Sequence, residues 1–526
     1  MFDLLTEGLI RADLVSGERV LLSLPEVYEA MMADDVAGFP ALRPHQRHAW
    51  HAFLAQLGAV GVYQLSREGP PRGAAHWQHL LEELTPDSPK ETSWSLIVDD
   101  PTVPAFMQCP APDGWASYRK ELLAADDLDL LVTAKNHDVK SSMAVAGEAD
   151  DWIFSLVSLQ TMSGFGGAGN YGVARMNGGF SSRPCLGLAP ANGGPGAHLK
   201  HDIRRLLEHR EAILESYEDY FDADSGLALL WTQPWDGTSS LTLSELDPHF
   251  IEICRRVRLI WRDGRILAGT ATSKKARIAA KYARGNVGDH WTPVVRGDEK
   301  ALSVSGVGFR YDRLAELVLD ESKYHRPPAM VVDATPGRSW RLVARGIAAG
   351  QGKTEGYHER VDIVLRPKVA RSLMGVGEAR EELGELSRTQ LMEIQAVAKA
   401  LRLAIAIAAS GGQDASALGA SDREKAYPYL RRFDATVDVQ FFRALQERFE
   451  AAEDDRPAAR REFVRLLVTR AKSLLAEAVE TVPCARIQRF RARTRATSAF
   501  WGSLWRSDVI DLAILHNTHE EEQHVS

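Results

Sequence analysis

The chain has few cysteines, and they are too far apart to form a recognisable group. The four in 526 residues are Cys109, Cys185, Cys254 and Cys484. No two of them form a CxxC pair, which argues against a structural zinc site built from cysteine pairs. Their spacing also lacks the pattern of a disulfide framework, and a reducing compartment is therefore expected.

Long apolar runs and an excess of positive charge are also missing. No segment offers the roughly 20 uninterrupted apolar residues of a membrane helix. The first 20 residues lack the cationic start of a signal peptide, and Asp3 and Glu7 interrupt their apolar run. The net charge of −8 provides no overall attraction to nucleic acid or to an anionic membrane. We therefore predict a cytoplasmic protein with no membrane partner, in which polyanion binding is local or delegated to a larger assembly.

Common enzyme motifs are absent as well. The stretch Gly346–Gly356, GIAAGQGKTEG, resembles a P-loop, but Ile347 stands where the pattern needs glycine. Its Gly352 and Lys353 fall in a predicted strand-to-strand connection, whereas a phosphate cradle needs a helix directly after it. No dinucleotide-binding arrangement and no GxSxG elbow can be placed on the chain. We expect a non-enzymatic protein with no catalytic residue, no cofactor and no metal.

What the chain does have is a concentration of glycine. Seven glycines fall within Ser163–Gly179, SGFGGAGNYGVARMNGG, among Asn170, Tyr171, Arg175 and Asn177. Glycine permits positive φ and lets another backbone come close, because no Cβ intervenes. Two interpretations are open: a loop against which another molecule lies, or an irregular surface connection that uses glycine for its turns.

Histidines offer two weak metal patterns. A helix predicted from Pro44 to Leu57 carries three at spacing i, i+3, i+6: His45, His48 and His51. This spacing distributes them around the helix, and we expect ordinary polar-face residues. Further along, His198 and His201 lack a third ligand in the sequence, and we expect them at the surface.

The N-terminal two thirds mixes helix and strand patterns. A short strand pair is predicted over Leu4–Leu24, and a helix from Trp152 to Thr161, capped by Asp150-Asp151, leads into the glycine segment. Further strands are predicted over Ala301–Phe309, Ser339–Val343 and Tyr357–Leu365. The connection between the last two strands presents Gln351 and Lys353 at its tip.

From about Pro367 the pattern is helical. Apolar residues at helical spacing mark helices near 391–408, 441–449 and 463–478, and a fourth is predicted over Ala485–His516. The first is expected to begin at a capping box, Ser387–Gln390, and to stop at Gly411-Gly412. The predicted class is α+β: a large mixed α/β domain over residues 1–367, followed by a four-helix bundle over residues 368–526.

Two segments are locally basic. Ser273–Arg284, SKKARIAAKYAR, is typical of a solvated amphipathic helix. The start of the fourth C-terminal helix carries five arginines: Arg486, Arg489, Arg491, Arg493 and Arg495. These arginines either contact a nucleic-acid backbone or form an exposed face paired with Glu477 and Glu480.

Four short stretches, in this order and spacing and followed by the helical bundle, resemble a known family. They are the opening FDLL, PAFMQ at Pro104–Gln108, GFGGAGNYG in the glycine segment, and GDHWTP at Gly288–Pro293. The chain resembles the CasA family, the large subunit of the type I-E CRISPR surveillance complex Cascade, over most of its length. The resemblance implies a large mixed α/β domain followed by a four-helix bundle.

The resemblance also implies a function. A CasA-like chain is a non-catalytic subunit that recognises the protospacer-adjacent motif of double-stranded DNA through the minor groove, promotes strand opening and helps recruit a helicase-nuclease. The guide RNA reads the remaining sequence. The implied partners are other Cascade protein subunits, guide CRISPR RNA, double-stranded target DNA and the helicase-nuclease effector. A glycine-loop nucleotide-binding enzyme and a purely structural scaffold remain as alternatives.

Family roles can be placed on individual residues of this chain. The minor-groove loop corresponds to Gly164, Gly166, Gly167, Gly169 and Asn170. A lysine finger corresponds to Lys281, with Lys274 and Lys275 as alternatives, and a glutamine wedge corresponds to Gln351. A loop that contacts the 5′ handle of the guide corresponds to Lys135–Lys140, with Asn136 and His137 as contacts. Some family members hold this last loop with cysteine pairs around zinc, and this chain has none there.

Overall fold

A computed structural model describes residues 2–66, 69–86, 92–131, 147–331, 337–351, 353–375 and 377–510 of the chain. The chain divides into two compact units. The first comprises Met1–Phe309 and Glu321–Val364, and the second comprises Arg310–Asp320 and Leu365–Ser526. The first mixes helices with strands, whereas the described part of the second is mainly helical. This confirms the predicted α+β class.

The first unit contains several small sheets. The described strands are β1 Ile10–Leu14, β2 Arg19–Leu22, β3 Val36–Gly38, β4 Lys120–Leu122, β5 Cys185–Pro190, β6 Leu227–Leu229, β7 Leu246–Ile251, β8 Arg256–Arg262, β9 Arg265–Ala271, β10 Val294–Val295, β11 Lys300–Ala301, β12 Tyr324–His325, β13 Trp340–Gly350, β14 Lys353–Arg360 and β15 Val364–Leu365. Strand β13 pairs antiparallel with β14 and with β5. Two further antiparallel sheets have the orders β2-β1-β3 and β4-β9-β8.

The helices of the first unit are α1 Leu24–Ala33, α2 Arg47–Gly61, α3 Ala74–Glu83, α4 Ala149–Met162 and α5 Pro195–Ser216. Helix α2 is their common neighbour: it packs against both α4 and α5. Its Ala49, Phe53 and Leu57 are buried, as the sequence pattern predicted. Gly61 allows α3 to come close, because a Cβ there would lie 2.1 Å from Leu80 Cδ2.

Two strand predictions have different outcomes. The pair predicted over Leu4–Leu24 is confirmed as the hairpin β1–β2. The strand predicted over Ala301–Phe309 is wrong beyond Ala301. A turn closes there, in which the amide of Gly308 donates to the carbonyl of Ser305 at 2.9 Å, and Gly308 has φ of +68°.

The predictions for the histidines are wrong as well. His45, His48 and His201 are buried, while His51 and His198 are half-buried. Distant parts of the chain supply their neighbours: Asp129 lies 2.7 Å from His45 Nε2, and the ring of Tyr357 stacks on His48. Such partners are invisible in the local sequence.

Three fully buried histidines predict an acid-sensitive first unit. Burial lowers the pKa of His48 and His290 to about 3 and that of His249 to about 4. An unfolded histidine titrates near 6.5, so the unfolded chain binds more protons below that pH. We expect the free energy of unfolding to fall by about 1.4 kcal/mol per pH unit for each of the three as the pH drops from 6.5 toward 5. Urea unfolding followed by tryptophan fluorescence measures this, since all but two of the 12 tryptophans lie in the first unit. A pH-independent midpoint would contradict it.

The second unit contains α6 Tyr311–Leu319, α7 Pro367–Met374, α8 Glu378–Ala409, α9 Ala420–Glu424, α10 Tyr427–Glu450, α11 Arg456–Thr481 and α12 Arg489–Trp505. The long helix α8 packs against α10, α11 and α12, giving the expected four-helix arrangement. It stops before Gly411 and Gly412, which have φ of +75° and +84°. The fourth helix, predicted over Ala485–His516, is confirmed only as far as Trp505, because residues 506–510 are not helical. The part of the prediction beyond residue 510 lies outside the described residues.

The predicted capping box is wrong. Helix α8 begins at Glu378, with Gly377 as its N-cap, so Ser387 and Gln390 lie within the helix. Both are buried, and Gln390 Nε2 donates to the carbonyl of Phe441 at 2.8 Å. The S-x-x-Q pattern here marks a polar contact between helices rather than a helix start.

The arginine-rich start of α12 is used partly within the second unit. Arg493 lies 3.6 Å from Glu480, as the acidic-neighbour interpretation predicted. Arg491 and Arg495 donate to the carbonyls of Gly411 and Gly412, at the C-terminal end of α8. Contact of this segment with a nucleic-acid backbone remains a prediction.

A buried charge cluster joins three helices of the second unit. Glu393 of α8 is fully buried and accepts hydrogen bonds from Arg448 at 2.8 Å and Arg460 at 2.6 Å. Removing one partner of a buried ion pair leaves an uncompensated charge.

We predict that Glu393→Gln lowers the free energy of unfolding by about 3–5 kcal/mol, because two guanidinium groups lose their counter-charge. Urea unfolding followed by circular dichroism at 222 nm measures this. The control is Glu385→Gln on the same helix, whose pair with Arg388 is exposed. It should change the value by less than about 1 kcal/mol. Equal effects of the two substitutions would contradict the prediction.

Candidate nucleic-acid interface

The glycine loop, Ser163–Gly179, leaves directly from the end of helix α4. The helix confirms the predicted element but starts earlier, at Ala149, with Glu148 as its N-cap. Asp151 Oδ2 accepts from the amide of Glu148 at 2.9 Å, while Asp150 lies inside the helix and pairs with Arg11. The predicted Asp150-Asp151 cap is therefore displaced by two residues, because Asp150 is taken up by an ion pair.

The neck of the glycine loop is closed by backbone hydrogen bonds. The amide of Phe165 donates to the carbonyl of Gly179 at 2.8 Å, and that of Arg183 donates to Met162 at 3.0 Å. Gly164 lies inside this neck, where a Cβ would come within 2.2 Å of the Ser181 carbonyl oxygen. This glycine is required by packing rather than by an approaching ligand.

Arg255 fastens the loop from below. Its guanidinium donates to Ser163 Oγ at 2.9 Å, to the carbonyl of Gly164 at 3.0 Å and to the carbonyl of Tyr171. No local pattern marks Arg255 as a partner of the loop, since it lies 92 positions from Ser163. Only the fold brings it beneath the loop.

The tip of the loop is more open. Gly166 is exposed, and a Cβ at Gly167, whose φ is +106°, would meet nothing within 4 Å. Gly169 instead packs against Thr272, at 2.8 Å from a Cβ placed there, and Asn170 is half-buried. The predicted loop residues therefore divide into a packed group, Gly164 and Gly169, and an open group, Gly166 and Gly167.

A buried ion pair fixes the exit of the loop. Arg183 donates two hydrogen bonds to Asp289, at 2.6 Å and 2.7 Å, and both side chains are buried. Burial alone would raise the pKa of Asp289, but the charge of Arg183 outweighs it and lowers the pKa to about 2. Asp289 also accepts from Thr292 Oγ1 at 3.0 Å. Asp289 of the GDHWTP stretch thus holds Arg183, and with it the chain that leaves the glycine loop.

Arg175, within the glycine loop, points inward. It lies 3.3 Å from Glu252, and its guanidinium lies 3.7 Å from the ring centre of Phe250. Burial and the neighbouring Arg183 lower the pKa of Arg175 to about 10, and burial raises that of Glu252. Arg175 therefore anchors the loop and does not extend toward a ligand.

Gln351 occupies the turn between β13 and β14, as predicted. The strands are longer than expected, since backbone pairing runs through Ala348↔Gly356 to Gly350↔Lys353. The predicted loop of eleven residues is therefore a tight turn, because alanine and glycine pair through their backbones without a strong strand signal. Gly352 lies outside the described residues. Lys353 starts a strand, which agrees with the exclusion of a P-loop.

The glycine loop and the hairpin are joined by two serines. Ser182 and Ile347 exchange hydrogen bonds: the Ser182 amide donates to the Ile347 carbonyl at 2.9 Å, and the Ile347 amide donates to Ser182 Oγ at 2.8 Å. Ser181 Oγ accepts a hydrogen bond from the amide of Ala349 in β13 at 3.3 Å. The loop exit and the hairpin that carries Gln351 are therefore held in one frame.

An open cleft of about 660 Å³ lies between them. Its walls include Phe165, Gly166, Gly167, Asn170, Gln351 and Lys353. Lys120, Arg255 and Arg256 add positive charge, and Asp127 and Asp129 are the acidic residues of its lining. The cleft therefore combines a backbone face without Cβ atoms, a glutamine, aromatic surface and cations.

Lys281 is not part of this cleft lining. It lies in a short 3-10 turn, Lys281–Ala283, and is exposed. The amphipathic helix predicted over Ser273–Arg284 is wrong, because the segment before the 3-10 turn is irregular and pairs with Leu241. The amide of Leu241 donates to the carbonyl of Arg277, and that of Ala279 donates to the carbonyl of Leu241, both at 2.8 Å.

Of the two alternative lysines, Lys274 is the one that contacts the glycine loop, since its carbonyl accepts from the hydroxyl of Tyr171 at 3.1 Å. The remaining predicted contacts, Asn136 and His137, lie outside the described residues.

Known structures share this architecture. Cse1 from Acidimicrobium ferrooxidans superposes with a TM-score of 0.62 at 15% identity, over 96% of this chain and 98% of that one. CasA from Thermus thermophilus gives 0.63 at 15% identity, over 96% and 100%. The fold is that of the Cse1/CasA proteins. A chain of a CRISPR RNA-guided surveillance complex gives 0.56 at 14% identity, over 95% and 99%.

No protein-family model and no curated protein matches the sequence. The Cse1-like fold confirms the resemblance expected from the sequence at the level of architecture, and identities this low carry no residue roles. Among the described residues, no helix is long and apolar enough to cross a membrane.

We predict that Gly164→Ala destabilises the first unit by about 1–3 kcal/mol, because its methyl group would overlap backbone atoms of the loop neck. Gly166→Ala should change the free energy of unfolding by less than about 1 kcal/mol. Its Cβ would lie 3.2 Å from Asn170 Cβ and 3.4 Å from the end of the Arg255 side chain, which can move. Urea unfolding measures both. A larger loss for Gly166→Ala would show that the open face is packed.

Proposed function

We propose that this chain is the non-catalytic subunit of an RNA-guided antiviral complex that recognises a protospacer-adjacent motif in duplex DNA through the minor groove. The observation that carries the proposal is the cleft in which the open glycines, Gly166 and Gly167, share one frame with Gln351. The Cse1-like fold agrees with this role. The guide RNA would supply the remaining sequence specificity.

The glycine face suits a narrow groove. The minor groove of B-DNA is about 6 Å wide and offers mainly acceptor atoms at its floor. Backbone without side chains enters such a groove where larger residues are excluded, and Asn170 at the loop provides an amide donor. The exposed Lys120 along the cleft would neutralise a phosphate locally, which fits a chain of net charge −8.

Gln351 suits the role of a wedge. It is exposed at the end of a long hairpin, and its tight turn limits the motion of the tip. Side chains that insert between base steps unstack them at a cost of a few kcal/mol, which the added contacts offset. In this proposal Gln351 starts strand opening next to the motif.

Two lysines are candidates for the finger. Lys281 corresponds to the family position and is exposed, while the carbonyl of Lys274 contacts Tyr171 of the glycine loop. The proposal keeps Lys281 as the groove contact, with Lys274 as the alternative. Asn136 and His137 are proposed to contact the guide RNA, and the assembled subunit is proposed to help recruit a helicase-nuclease.

The test uses the chain assembled with guide RNA and the other complex subunits. Binding is measured to duplexes that differ only at the adjacent motif, and strand opening is followed by 2-aminopurine fluorescence in the first base pairs. We predict that Gln351→Ala lowers strand opening by about tenfold and that Lys281→Ala weakens motif-dependent binding by about tenfold, since each groove contact contributes about 1–3 kcal/mol. Gly166→Leu should abolish the difference between the two duplexes, because its side chain fills the open face.

Matched controls are Gln413→Ala and Lys300→Ala, neither of which lines the cleft. They should leave binding and opening unchanged. If all three cleft or finger variants bind and open DNA like the unaltered chain while the complex still assembles, the chain is a scaffold. If Lys274→Ala weakens binding and Lys281→Ala does not, the finger is Lys274.

A further inference from the structure

Helices α2 and α5 bring together three metal-binding side chains that the sequence keeps apart. His51 comes from α2, and His198 and Asp202 are one helical turn apart on α5. His51 Nε2 lies 2.8 Å from Asp202 Oδ2, and His198 Nε2 lies 3.4 Å from the same oxygen. The three ligand atoms all lie within 4.8 Å of one another.

The carboxylate of the cluster is buried between two half-buried histidines, and a neighbouring side chain orients it. Asp202 is fully buried, and Oδ2 accepts a hydrogen bond from Trp291 Nε1 at 2.9 Å. The other oxygen, Oδ1, has no hydrogen-bond partner among the described residues. Hydrogen bonds from outer residues to a ligating carboxylate are typical of metal sites.

A second observation comes from His48. Its imidazole is buried, with 2% of the residue exposed, and neither ring nitrogen has a hydrogen-bond partner among the described residues. It lines a small pocket, of about 10 Å³, together with His51, His198, Cys185 and Arg345. A pocket of this size accommodates one water-sized species. The unpartnered imidazole of His48 is therefore available as a further metal ligand, or as a hydrogen-bond partner for a water molecule in this pocket.

The donor set selects the kind of metal. Imidazole nitrogens favour zinc and its transition-metal neighbours over magnesium and calcium, which prefer oxygen ligands. Two ligands about 2.0–2.1 Å from a tetrahedral zinc are about 3.3 Å apart. The separations of 2.8 Å and 3.4 Å from Asp202 Oδ2 bracket that value. The third separation, between His51 and His198, is within 4.8 Å, so the two imidazoles close by up to about 1.5 Å around an ion.

We propose that His51, His198 and Asp202 bind one divalent transition-metal ion, with zinc as the natural candidate. The fourth position faces the pocket lined by His48 and Cys185. Because the ligands come from two helices, the ion clamps α2 to α5. None of the three ligands lines the nucleic-acid cleft, so the site is structural and independent of the proposed DNA recognition.

The experiment uses the full chain, stripped with a chelator and then titrated with Co²⁺ or Zn²⁺. We expect one tight equivalent per chain by elemental analysis and visible absorption bands of four-coordinate Co²⁺, displaced by Zn²⁺. His51→Asn, His198→Asn and Asp202→Asn should each weaken binding by at least about tenfold, since even outer-sphere changes cost about 10-fold to 100-fold. Zinc should also raise the melting temperature of the unaltered chain, which keeps the proposal testable where a variant fails to fold.

Two controls separate this site from other histidines. His79→Asn changes an exposed histidine of the same unit, and a triple His516→Asn, His519→Asn, His524→Asn variant removes those near the C-terminus. Both should retain the tight equivalent. Absence of a tight equivalent in the unaltered chain, tight binding that survives the three ligand substitutions, or its loss in the triple variant would overturn the proposal.

Discussion

The buried pair between Arg183 and Asp289 is the interaction on which the candidate interface depends. Two charged groups are stable inside a protein only when each provides the counter-charge and hydrogen bonds of the other. Here the carboxylate belongs to the GDHWTP turn and the guanidinium belongs to the residue that ends the neck of the glycine loop. The pair therefore fixes the position at which the loop returns to the sheet and, through Ser182, the position of the hairpin.

This frame separates two kinds of glycine that look alike in the sequence. Gly164 and Gly169 are needed because neighbouring atoms occupy the space of a Cβ. At Gly167 that space is open, and at the exposed Gly166 it is bounded only by Asn170 and the end of the Arg255 side chain. Only the second kind is available to a ligand. Arg175 and Arg255 are likewise structural, because both arginines hold the loop in place. A rigid loop of this kind loses little conformational entropy on binding, which favours affinity and specificity.

Buried polar groups recur throughout the first unit. Besides the Arg183–Asp289 pair, the core contains several histidines whose neighbours come from remote segments, including the cluster of His51, His198 and Asp202. A polar side chain is costly to bury without a partner, and each of these contacts therefore specifies how two distant elements meet. In the second unit the same role falls to Glu393 and its two arginines. In both units, buried ion pairs thus connect elements that are far apart in the chain.

Local pattern sufficed for the elements whose signals lie close together in the chain. Helix α2, the hairpin β1–β2, the four long helices and the position of Gln351 at a turn all follow from the spacing of apolar residues and from glycine stops. The tertiary structure alone decided which polar residues are buried, which glycines are packed and which helix starts are real. His48, Arg255 and Ser387 were misjudged or missed because their neighbours lie far away in the chain. The periodicity of the sequence indicates on which side of a helix or strand a residue lies, but it does not indicate which distant residues pack against that side.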